Sequence, residues 1–565
     1  MSISLMLILL VLLVWLLPRL EARTAGTDHS YETKVFNQKK VSTIDIQVDE
    51  ESLQKILESP LEKEVVPATV VFNGEKIQEV GFRVKGNMTL RSVAQMENSD
   101  RYSFKVDFDY YKDGQSLFGL KKLALNNNYS DSTLSKEFVS YKLMDEMGVP
   151  TPANSYMYVT INGEEWGLYL GVEAIDETFL ANHFTNANGD LYKPDGTGSD
   201  LKWISDDVDE YTGLGLKTNE ETSTQSAMMK FLDVINHGGN LDEVMDVDEM
   251  LRYFAANTAL VNLDHYQGTM KHNYYLYEQN GKFSILPWDY NMSFGGFSGG
   301  GPRMSGNAGG FPGDKEQQNE QDIENGGREF RGFDMVSGMG DMMSESNINF
   351  SITEPVSGTT LEERPLLNAL LENEEYREKY NRYLEQIANE FFDKENMQNI
   401  MSSISSTILP YVEQDPKKFT TTEQFLAGVS GDNSLVEFAA QRSESILKQL
   451  SGELVVEADN SNPPDEFNNN EGNNEEMNKR PVPGEGEQPG RPEGLEEGER
   501  PEPPGGMGQP GAGGPPPDMM NQGFMGGEAT EKESFSRSSL IGSILCLGFL
   551  LVAILFVKKF QRRRV

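Results

Sequence analysis

Apolar and polar positions alternate with a period of two over residues 40–125. The stretches VVPATVVFNGEKIQEVGFRVKGN and YSFKVDFDYY read as strands with one buried face. Over residues 131–148 the period becomes helical, with Asp131 or Ser132 as cap and Gly148-Val149-Pro150 as stop. A strand pattern returns in YMYVTINGEEWGLYLGVEAID, folded back at Asn162-Gly163. From about residue 226 helical patterns dominate, including PLLNALLENEEYREKYNRYLEQIANEFF, and one hairpin at 273–286 turns at Asn280-Gly281. Asn-Gly suits such turns because both residues tolerate positive φ. A β-rich first half and a helical second half predict an α+β fold.

Composition divides the chain further. An apolar run over residues 3–17, followed by Pro18 and Arg19, predicts a signal peptide or N-terminal anchor over 1–26. The folded part is expected over 30–455, with a Gly/Met-rich acidic insertion at 295–346. Residues 456–538 hold almost no aliphatic side chains and read as a disordered acidic Pro/Gly-rich stalk. Residues 540–557 are apolar enough for a transmembrane helix, and the basic tail 558–565 predicts a cytoplasmic C-terminus. The ectodomain then lies outside the cell. The single cysteine, Cys546, falls in that span, so no disulfide is available outside, as expected of a bacterial surface protein. A net charge of −40 argues against a nucleic-acid partner.

The candidate chemistry lies in NLDHYQGTMKHNYYLYEQNGKFSILPWDYN. Asp264 precedes the hairpin, His272-Asn273 open it, and Asp289 follows it, so the hairpin is expected to gather them at one end of a sheet. In kinase-type phosphotransfer one Asp orients the acceptor hydroxyl, while an Asn and a second Asp hold the metal on the ATP phosphates. That order assigns Asp264 as catalytic residue and Asn273 and Asp289 as ligands of Mg²⁺ or Mn²⁺, which prefer hard oxygen donors. As bland alternatives, Asp264 ends a helix, His272 is structural and Asp289 caps a turn.

Glu137 flanks the apolar face of the 131–148 helix and needs a partner, because an unpaired buried charge is costly. A strand lysine that also meets the phosphates is the expected partner. Lys105 is the first candidate, since Phe104, Val106 and Phe108 face the other way; Lys85, beside Gly86, is the second. Either lysine has a solvated outer sheet face as its plain alternative. Trp166 is expected in the core, and five histidines with one cysteine make a zinc site improbable. The expected folded part, residues 30–455, has no GxGxxG or Walker motif.

FGLKKLALNNNYSDSTLSKEFVSYKLMDEMGVPTP, NGEEWGLYLGVEAID, GDLYK, KHNYYLY, PWDYNMSFGGF and ERPLLNALLENEEYREKY together resemble the spore-coat protein H (CotH) kinase family, over about residues 45–450. The resemblance implies an atypical two-lobed protein-kinase-like fold. It also implies ATP-dependent phosphorylation of Ser or Thr in a protein substrate, with a basic one as the natural probe. A non-catalytic surface adhesin or scaffold, and nucleotidyl transfer (AMPylation), stay open as rivals. The insertion after Asp289 stands where an activation segment would, so it is expected to gate the substrate.

Overall fold

The computed structural model describes residues 30–297 and 342–456. The signal or anchor segment, residues 298–341 of the insertion, the stalk and the 540–557 span lie outside the described residues. Among the described residues, no helix is long and apolar enough to cross a membrane.

Period-two alternation builds a closed barrel from β1 (Ser42–Val48), β2 (Val66–Phe72), β3 (Glu75–Lys85), β4 (Ser103–Asp107), β5 (Lys122–Asn126), β6 (Asn154–Ile161) and β7 (Glu164–Glu173). The strand order is β1-β2-β3-β4-β5-β7-β6, and parallel pairing of β1 with β6 closes it. Inward side chains such as Phe82, Val84, Phe104, Val106, Leu125 and Trp166 fill the barrel. Closure leaves no open edge within the sheet. Because Lys85 pairs with Ser103 and Arg83 with Lys105, these lysines share the outer face. Three Asn-Gly pairs turn antiparallel hairpins with both residues at positive φ: Asn73-Gly74, Asn162-Gly163 and Asn280-Gly281.

The first main helix, α1 (Lys136–Glu146), begins later than its sequence pattern predicts. Asp131 does act as a cap, but across a turn: its carboxylate accepts from the Lys136 amide at 2.8 Å and the Thr133 amide at 2.9 Å. The helix is buried nearly all round, so it has no clean polar stripe. Phe138 stacks on Tyr156 of β6, and the outer residues of β6 and β7 join a second core with the helical half.

That half contains α2 (Ser226–His237), α3 (Val247–Ala259), α4 (Pro365–Glu372), α5 (Glu374–Gln386), α6 (Lys394–Gln414), α7 (Thr422–Ser430) and α8 (Leu435–Ser451). The predicted hairpin is β10 (Tyr274–Gln279) and β11 (Lys282–Pro287). It is not an isolated hairpin. With β8 (Leu191–Pro194) and β9 (Leu214–Leu216) it forms a sheet ordered β11-β10-β8-β9.

A buried ion pair fastens the end of α6 to the barrel. Arg101 Nη1 lies 2.9 Å from Asp415 Oδ1, and Asp415 Oδ2 accepts from the Leu168 amide at 2.8 Å. Gly167 passes so close that a Cβ there would meet the Asp415 carboxylate at 2.0 Å. Only glycine fits this approach.

Candidate active site

Sheet geometry explains why the expected residues meet. β10 runs antiparallel to both β11 and β8, so the start of β10 and the ends of β8 and β11 share one edge. That edge carries Lys193 and Asp195 from β8 and its exit, His272 and Asn273 before β10, and Asp289 just past β11. The hairpin thus gathers Asp264, Asn273 and Asp289, as its sequence implied.

Asp264 sits in a loop fixed from below. Arg364 Nε donates to the Tyr266 carbonyl at 2.6 Å, and its Nη2 donates to the Gly268 carbonyl. Gln267 bridges Thr258 of α3, at 2.9 Å, and the Pro355 carbonyl, at 2.7 Å. Asp264 itself is buried; Oδ1 is 2.8 Å from His272 Nε2 and Oδ2 accepts from Asn273 Nδ2 at 3.0 Å. Burial pushes the Asp264 carboxyl up, while His272 pulls against that rise. Burial disfavours the His272 cation, yet the Asp264 bond and charge outweigh it and raise its pKa.

Asp289 has left-handed backbone, φ 62°, and its amide donates to the Tyr141 hydroxyl at 3.1 Å. The segment behind it is pinned to the residues just past α3: Phe294 N donates to Leu260 O at 2.7 Å and Gly295 N to Val261 O at 3.1 Å. Tyr290 is buried against Tyr141 and His265.

The opposing wall is the outer face of the barrel together with α1. Lys85 Nζ donates to Asn126 Oδ1, and Asn126 Nδ2 donates to Glu137 Oε2 at 2.8 Å. Glu137 is therefore joined to Lys85 through Asn126, which corrects the expectation that Lys105 is its partner. Lys105 shares the barrel face but stands in other company. After burial, its pKa of about 8 is set by Arg83 and Lys122, with Asp107 and Asp176 opposing. Two residues farther along a strand displace a side chain by about 7 Å, which separates the two lysines.

Glu137 is buried and its Oε1 meets no donor in bonding geometry. Burial and the Asp289 charge push its carboxyl up to about 7, against Lys85, Asn126 and Tyr141. Lys85 titrates below its usual range because it is buried, although Asp289 and Glu137 favour its cation.

Lys193 escaped the sequence reading, which used GDLYK only as part of a motif. Its Nζ lies 5.4 Å from the Tyr275 ring centre and 6.0 Å from that of Trp288, while Lys85 Nζ lies 5.6 Å from Trp288. Burial lowers Lys193, and Asp289 and Asp195 hold its charge. Neither Lys85, Lys193 nor Arg83 forms an ion pair among the described residues. Lys193 and Arg83 both bear on Lys85, and Asp289 favours the cations of both lysines, so the cluster gathers buried positive charge around one carboxylate without a direct ion pair. No alternating pattern could have marked Lys193; its role comes from the end of β8 meeting the hairpin.

Hard oxygen donors are present near this cluster: the Asp289 carboxylate, whose charge acts on Lys85, Lys193 and Glu137, and the side-chain amide oxygen of Asn273. No group of three or more His, Cys, Asp or Glu among the described residues is arranged to hold a metal by itself. The set suits Mg²⁺ or Mn²⁺, which accept one or two protein ligands and complete their shell with phosphate and water. Trp166 is in the barrel core, as expected.

The chain belongs to the CotH kinase protein family, whose model matches residues 82–446. It is similar to inner spore coat protein H of Bacillus subtilis (strain 168), with 22% identity over 427 residues covering 74% of this chain and 99% of that protein. An inner spore coat protein H-like protein of the same strain is 30% identical over 107 residues, or 18% of this chain and 33% of its own length.

Proposed function

We propose that this protein is an atypical ATP-dependent protein kinase with a two-lobed kinase-like plan, acting on Ser or Thr of surface or coat proteins. The observation that carries the reading is the convergence of two buried lysines, Lys85 from the barrel and Lys193 from β8, over Trp288 and beside Asp289, which itself lies near the Asp264–Asn273 pair. Lys85, steadied by Asn126 and Glu137, and Lys193 bind the ATP phosphates. Asp289 and Asn273 hold Mg²⁺ or Mn²⁺, which when bound neutralises charge on those phosphates. Asp264 orients the acceptor hydroxyl and receives its proton. The acceptor oxygen then bonds to the γ-phosphorus as the bond to the β–γ bridging oxygen breaks, and ADP leaves with the electron pair. The reading includes display outside the cell membrane, with 540–557 as the span and 456–538 as the stalk, supported by the apolar run and the basic tail behind it.

The test uses the purified full chain with γ-labelled ATP, Mg²⁺ or Mn²⁺, and a basic Ser/Thr peptide. Label and intact mass are followed for wild type and Asp289→Ala. Metal-dependent phosphate transfer lost in the variant is expected. Full activity in Asp289→Ala would remove the assignment. Transfer of a nucleotide-sized adduct would indicate AMPylation, and no transfer or ATP binding would indicate an adhesin or scaffold.

A further inference from the structure

Two consecutive side chains hold one buried carboxylate by both of its oxygens. His272 Nε2 is 2.8 Å from Asp264 Oδ1; Asn273 Nδ2 donates to Asp264 Oδ2 at 3.0 Å and to its carbonyl at 3.1 Å. Neighbours in an ordinary strand point to opposite faces. Here Lys271 and Asn273 both have left-handed backbone, φ 55° and 59°, and the chain turns so that both side chains reach Asp264. The clamp is graded in exposure: the His272 side chain is 23% accessible and that of Asp264 only 7%.

A carboxylate held by one oxygen can still rotate about its Cβ–Cγ bond. Asn273 alone would fix Oδ2 and the backbone and leave Oδ1 to swing. His272 supplies the second point and sets the plane of the group. We infer that His272 is a positioning residue acting through Asp264, keeping the carboxylate aimed into the cleft; this rests on the phosphotransfer reading above. It is distinct from metal holding or phosphate binding, because the imidazole bonds to the hydroxyl-orienting group.

The experiment is a double-mutant cycle on the full chain, reading kcat and the KM for ATP in the phosphate-transfer assay and checking each fold by thermal unfolding. His272→Ala is expected to lower kcat roughly 10- to 100-fold with little change in KM, the pattern of a lost transition-state contact. His272→Gln, which can place an N–H near the same position, should recover most of that loss. In an Asp264→Asn background, His272→Ala should cost nothing further, because its only route of action is gone. Unchanged kcat in His272→Ala, or additive losses in the double variant, would overturn the inference while leaving the kinase reading intact. Absence of transfer by the wild-type chain would instead overturn the kinase reading itself, and this role with it.

Discussion

Glu137 and Tyr141, one turn apart on α1, reach two different elements of the candidate site. Glu137 accepts from Asn126, which also receives Lys85 on the barrel, while the Tyr141 hydroxyl accepts from the Asp289 amide beyond the hairpin. A single helix thereby couples the proposed phosphate-binding lysine to the proposed metal-binding carboxylate. Packing of Phe138 on Tyr156 fixes how far α1 can move.

Removing either arm of this coupling should impair turnover without unfolding the protein. Tyr141→Phe leaves the Asp289 amide without its partner, a cost of about 1–3 kcal/mol if the amide stays dry. Its kcat/KM for ATP is expected to fall about 10-fold or more, measured beside a melting curve that shifts by only a few degrees. Wild-type kinetics in Tyr141→Phe would show that α1 does not position Asp289.

The two strand lysines offer a direct comparison. Lys85→Met should raise the KM for ATP or lower kcat roughly 100-fold, because a charge aimed at the phosphates is lost. Lys105→Met should leave both within about twofold, since the charges around Lys105 are those of Arg83, Lys122, Asp107 and Asp176, not of Glu137 or Asp289. Lys193→Met is expected to behave like Lys85→Met in the KM for ATP. Reversed behaviour of Lys85 and Lys105 would restore the sequence-based choice.

That comparison marks how far the sequence could be read. Alternation at Phe104, Val106 and Phe108 correctly turned Lys105 outward, and the Asn280-Gly281 turn correctly brought Asp289 back beside Asp264 and Asn273. Local periodicity sets the face of a strand, whereas the choice of lysine depends on strand register, and Lys85 faces Ser103 only after β3 and β4 have paired. Asn126, the link to Glu137, lies in an LNNN run where nothing local separates a bridge from a loop residue. Closure of the barrel by the parallel β1–β6 pair is likewise a non-local event.

Stability should depend on pH through Glu173, a fully buried carboxyl that accepts from the Tyr31 hydroxyl and from the Ala153 amide at 3.0 Å. Burial raises it from 4.5 to about 8. The folded state therefore holds this proton more tightly than the unfolded chain does. Its contribution is fully present below the unfolded value of 4.5 and is lost as pH rises through about 8. Glu173→Gln, neutral at every pH, should remove that part of the dependence. Melting temperatures at about pH 5 and about pH 9 should show the wild type losing ground to the variant as pH rises. Parallel pH profiles would show that Glu173 does not carry the linkage.

The pair Arg101 and Asp415 sets the last expectation, because the two side chains are only 2% and 3% accessible and join α6 to β7. Asp415→Ala leaves the guanidinium buried without its anion and the Leu168 amide without its acceptor. Breaking one side of such a pair costs about 3–5 kcal/mol. Asp415→Asn retains an acceptor for the Leu168 amide and should cost less. Arg101 would still donate to the Trp166 carbonyl at 2.8 Å, so the barrel itself should persist while its attachment to α6 weakens. Urea unfolding separates these outcomes. Asp415→Ala is expected to lower the midpoint with a slope near wild type if barrel and helices still unfold together, or to split the transition if the pair is what makes them unfold as one. An unchanged midpoint would mean that the two cores are held together by the apolar contacts of β6 and β7 with the helical half, and that the ion pair only orients Gly167 against α6.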